Sequence, residues 1–120
     1  GKTLGILLLS LQKKKNELDL LNSIDEVKVK KAALVEQIKY LEKSNSFSKS
    51  KVEIATETLK EQNRLYLRGQ ASFEEVIRAE ESYINAKLNE KRMLLDYELL
   101  IANYAFLNNS MTTLLNAYQD

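Results

Sequence analysis

The sequence predicts an all-α protein built around one long antiparallel coiled-coil helical hairpin, and three observations carry that prediction. Helix breakers are almost absent, since the 120 residues contain no proline and three glycines. Proline breaks a helix interior and glycine is costly there, so long helices go unopposed. Apolar residues recur at alternating spacings of three and four, which keeps one stripe of a supercoiled helix against a neighbour. Between two such runs, a helix stop and a helix start fall close together at Leu67 to Ser72.

The outgoing helical segment covers residues from about 4 to 67, as one long helix or as stacked helices. Its most apolar run, Ile6-Leu7-Leu8-Leu9 with Leu11, falls far short of the roughly 20 residues a spanning helix needs. It also lacks a small-residue cleavage site of the signal-peptide kind. The chain is therefore expected neither to cross a membrane nor to carry its own export signal. Lys13-Lys14-Lys15 is followed at once by Glu17 and Asp19 and reads as a solvated helix face. Ser23-Ile24-Asp25-Glu26 has capping-box spacing and marks either a helix start or a joint between stacked helices.

From Val27 a seam runs through Leu34, Ile38, Leu41, Asn45, Ser48, Val52, Ala55, Leu59, Gln62 and Tyr66, with a second stripe through Ala33, Tyr40, Phe47, Ile54 and Leu65. Two stripes on one helix require neighbours on two sides. Ser44 to Ser48 weakens the seam, because Ser and Asn side chains compete for backbone hydrogen bonds. The heptad phase nevertheless continues across it without Gly or Pro, so continuous helix is expected.

The turn is residues 68–72. Gly69 is the residue best suited to a left-handed helix cap, Arg68 places a cation at the helix C-terminus, and Ser72-Phe73-Glu74-Glu75 is a second capping box. The return helix covers about 73–117, roughly 70 Å if straight. One stripe is read through Phe73, Val76, Glu80, Tyr83, Lys87, Glu90, Leu94, Tyr97, Ile101, Tyr104, Asn108 and Met111, flanked by Ile77, Ile84, Leu88, Leu95 and Ala102. A monomer of this size cannot bury both faces of such a helix, so assembly is implied.

Several function classes are disfavoured. Lys plus Arg total 18 and Asp plus Glu 17, which leaves no basic face for nucleic acid. Without histidine or cysteine, the commonest general base, metal ligands and thiol nucleophiles are missing. Glu74, Glu75, Glu80 and Glu81 lack the histidines that complete a di-metal bundle. No enzyme, no catalytic residue, no metal and no cofactor is expected.

The run Tyr66-Leu67-Arg68-Gly69-Gln70-Ala71-Ser72-Phe73-Glu74-Glu75-Val76-Ile77-Arg78-Ala79-Glu80 resembles the periplasmic hairpin tip of TolC-like outer-membrane efflux proteins. Members carry Tyr-x-x-Gly-x-x-Ser/Thr-hydrophobic-x-Asp/Glu-Val-Leu/Ile-x-Ala there. The resemblance continues through Tyr83-Ile84-Asn85-Ala86-Lys87 and Asp96-Tyr97 to Leu107-Asn108-Asn109. It is good over 59–109 and diffuse before, where only heptad character and length agree.

This resemblance implies one hairpin of a periplasmic α-barrel in a homotrimeric Gram-negative outer-membrane channel. Such channels export small molecules or proteins together with a periplasmic adaptor and an inner-membrane transporter. Residues 1–120 would be a single hairpin region without outer-membrane β-strands, since no alternating, aromatic-flanked strand occurs. The pattern is already running at both ends, the expectation for a piece of a larger protein. Carried onto this sequence, Leu67, Arg68, Gly69, Gln70, Ala71 and Ser72 would dock the adaptor. Glu75 matches an acid that narrows the closed end in relatives, and Arg78 stands where some relatives have a second acid. Glu75 and Arg78 are spaced to pair on one helix face. The competing reading is a stand-alone three-helix interaction module that breaks at Ser44 to Ser48.

Overall fold

The structure, a computed structural model, describes residues 1–119 and is all-helical. Helix α1 spans Lys2–Leu67 and helix α2 spans Phe73–Gln119. Helix α1 is uninterrupted through both places where the sequence hinted at a joint. At Ser23 the hydroxyl donates back to the Asp19 carbonyl at 3.1 Å, an i−4 bond inside a running helix. Across 44–48 the ladder continues, and Ser50 Oγ donates to the Ser46 carbonyl at 3.4 Å. A three-helix arrangement broken at Ser44 to Ser48 is therefore not formed.

Two compact units divide the residues. One comprises 37–100 and contains the turn. Within it the ends of α1 and α2 run antiparallel: the Tyr66 and Phe73 rings lie 6.0 Å apart, and Tyr97 Oη donates to Glu42 at 3.4 Å. Its buried apolar residues are Val52, Val76 and Ala79, joined by Ser48. The other unit comprises 1–36 with the α2 residues from 101 onward. It buries Ile24 and Met111, and Lys31 Nζ sits 5.4 Å from the Tyr104 ring centre.

The α1 seam is covered from Leu34 to Gln62, while Tyr66 is exposed. The α2 seam differs from its sequence reading in one of its two heptad positions. Val76, Tyr83, Glu90, Tyr97, Tyr104 and Met111 are covered, as are Lys87 and Asn108, yet Phe73, Glu80, Leu94 and Ile101 are exposed. The second position is Ala79, Ala86, Met93, Leu100 and Leu107, every one covered. Ala79 is buried where Glu80 is exposed, because an uncharged side chain is buried at less cost than a carboxylate.

Candidate functional site

The turn is built from caps on both sides. Gly69 has φ +70°, its N–H donates to Tyr66 O at 2.9 Å, and the Gln70 N–H reaches Leu65 O at 2.8 Å. These two bonds are the paired bonds of a Schellman motif, and they satisfy carbonyls that the end of α1 would otherwise leave open. Three residues later a reciprocal capping box starts α2. Ser72 Oγ accepts from the Glu75 N–H at 3.2 Å, and Glu75 Oε2 accepts from the Ser72 N–H at 3.1 Å. Glu74 and Glu75 also place negative charge at the positive end of α2.

The connection is consequently short and hydrogen-bonded while its side chains face outward. Leu67 is 84% exposed; Arg68, Gly69, Gln70 and Ser72 are exposed, and Ala71 is half-buried. Those six residues form one continuous patch at the turn. Glu75 and Arg78 are both exposed on the first turns of α2. They form no ion pair among the described residues, and the reason is local. The Glu75 carboxylate turns back to cap its own helix.

One turn before the end of α1, Arg64 clamps Glu61 through Nε at 3.0 Å and through a second bond from Nη2. Those bonds hold the Glu61 carboxyl below its ordinary range, helped by the positive charges of Arg64 and Arg68. The same pairing raises Arg64. Among the described residues, no group of three or more His, Cys, Asp or Glu is placed to hold a metal ion.

Beside the turn, the 37–100 unit carries an open groove between its two helices. One stretch is lined by Ile54, Ala55 and Thr58 of α1 with Ser82 and Ala86 of α2. A second is lined by Tyr40, Phe47 and Ser48 with Met93, and the two share Lys51 and Asn89. Tyr40, Phe47 and Ile54, seven residues apart, stand along it at 70%, 65% and 67% exposure. The groove is lined by small residues together with large apolar ones. On α2, Ile84, Leu88 and Leu95 are also exposed.

Two features escaped the sequence reading. Ser48 is 2% exposed, and its Oγ, with the buried Asn45 Oδ1 and Gln62 Oε1, has no hydrogen-bond partner. The spacing placed all three in the seam; that they lack partners depends on what the opposing helix presents. The other is the exposure of the leucine run near the start of α1.

Comparison with protein-family models, curated proteins and solved structures found no match to the chain.

Proposed function

We propose that this chain is a wall element and docking tip of a trimeric outer-membrane efflux or secretion duct of the TolC-like kind, working with a periplasmic adaptor and an inner-membrane transporter. The observation that carries the reading is the pairing of a doubly capped, outward-facing turn with apolar heptad stripes left exposed beside it. A duct wall needs helices with neighbours on two sides. A docking end needs a rigid turn that presents contact side chains at little ordering cost.

The tip residues Leu67, Arg68, Gly69, Gln70, Ala71 and Ser72 would meet the adaptor, with Leu67 supplying apolar area and Arg68 charge. Just past them, Glu75 and Arg78 would set the charge of the closed end in the assembled trimer. The Glu75 carboxylate would then serve its own helix cap and the constriction together.

The test is chemical crosslinking of a Gln70→Cys variant against a panel of periplasmic adaptor hairpins and unrelated coiled coils. Selective capture of adaptor tips supports the duct. Equal capture of both groups, or none, with the chain folded, leaves only a helical hairpin and rejects the docking role.

A further inference from the structure

The first turns of α1 have a chemistry unlike the rest of the chain. Leu4, Ile6, Leu7, Leu8, Leu9 and Leu11 are all more than half exposed, with Leu9 reaching 73%. Leu4, Leu7, Leu8 and Leu11 share one side at helical spacing, while Ile6 and Leu9 fall on the other, so the segment is apolar nearly all round. No residue from 1 to 19 is even half-buried.

Charge singles out the same segment. Before Glu17 the sequence holds Lys2, Lys13, Lys14 and Lys15 and no acid, in a chain whose total charge is +1. The three consecutive lysines begin two residues beyond Leu11 and so follow the leucines within one helical turn.

We infer that residues 2–15 bind the surface of an anionic phospholipid membrane. One neighbouring helix would cover one stripe and leave Ile6 and Leu9 in water, whereas a bilayer interface offers apolar surface to the leucines and anionic headgroups to the lysines together. From Leu4 to Leu11 the helix advances only about 10 Å, about a third of a hydrocarbon core. No described helix is long and apolar enough to cross a membrane. The segment therefore lies in the interface of one leaflet, where Lys2 as well as Lys13, Lys14 and Lys15 reach the phosphate level, the pairing of apolar area and basic charge by which interfacial helices bind. The inference does not rest on the duct reading.

The chain has no tryptophan, so Leu9→Trp supplies a single fluorescent reporter at an exposed position. Titration with vesicles of mixed phosphatidylcholine and phosphatidylglycerol is expected to shift its emission to the blue and to pellet the protein with lipid. Replacing Lys13, Lys14 and Lys15 together with Gln should weaken that binding by about 100-fold, roughly fivefold for each lysine lost. A charge-matched control, Lys43, Lys49 and Lys91 to Gln, should bind as the parent does. Leu7→Gln with Leu8→Gln should abolish the shift while the helical signal is kept. No shift with anionic vesicles, or equal binding to pure phosphatidylcholine, overturns the inference. So does a blue-shifted emission without lipid in a sedimenting oligomer, which would mean that a second copy covers the leucines.

Discussion

Gly69 offers a direct test of how the turn is made. Its φ of +70° lies in the left-handed region, and a Cβ built there meets nothing within 4 Å. Gly69→Ala therefore creates no clash, and its whole effect is backbone strain. Holding an L-residue in that region costs about 1–2 kcal/mol. The stiffer alanine chain loses less entropy on folding, which offsets about 0.4–1 kcal/mol. The net is a loss of about 1 kcal/mol, or about 4 °C in Tm for 120 residues at the usual unfolding entropy. Thermal and urea unfolding followed by circular dichroism at 222 nm measure it. Gly69→Asn should lose less, because asparagine tolerates this region. A semisynthetic chain with D-alanine at 69 should be more stable than the parent by about 0.4–1 kcal/mol. Identical stabilities for the L- and D-alanine chains would refute the left-handed cap.

Three further outcomes follow from the geometry. Ser48→Ala removes a buried hydroxyl without a partner from a helix interior, and should raise stability by about 1 kcal/mol, read from the urea midpoint. A lower midpoint would show that the hydroxyl is satisfied. Arg64→Gln should return the Glu61 carboxyl upward to its ordinary range in an NMR titration. Because the folded-state pKa is lowered, this pair stabilises above the unfolded carboxylate range and is lost as pH falls through the folded value. An acid limb of the stability profile that does not move on Arg64→Gln would show that the pair is not formed. Finally, Tm should rise with protein concentration, as in any chain that completes its burial by association; a constant Tm over a hundredfold dilution would reject that.

The two capping-box sequences show what was legible and what was not. At Ser72 the box follows Gly69, and the reciprocal bonds with Glu75 form. At Ser23 the same spacing lies inside α1, where the hydroxyl bonds back to Asp19. A serine caps a helix only where something upstream has ended the preceding one. Glycine supplied that at 69, and nothing did before 23. The α2 seam failed for a different reason. Its two heptad positions are three residues apart, and three-residue steps from Val76 in either direction both land on a repeating stripe. Ala79 and Ala86 were passed over because alanine is a weak apolar signal. At 79 and 80 the alanine is the buried one, since a small uncharged side chain lets the helices approach where a carboxylate would not. Glu75 and Arg78 had the right spacing for a pair, but spacing alone cannot tell which of two partners the carboxylate takes.

The chain exposes 9378 Å², against about 6,600 Å² for a compact monomer of its mass. The excess of about 2,700 Å² is some three times what one partner buries in an interface of standard size. It is also apolar in places a solvated helix would not make so, at Tyr40, Phe47 and Ile54 and at Ile84, Leu88 and Leu95. The seam, by contrast, holds Asn45, Ser48 and Gln62 with unpaired oxygens, so part of the contact between the paired helices is polar. The apolar side chains are thus divided between the shared seam, with Val52, Val76, Ala79 and Met111 buried, and the exposed stripes outside it. The exposed apolar stripes, more than any single residue, are what support the proposed wall element.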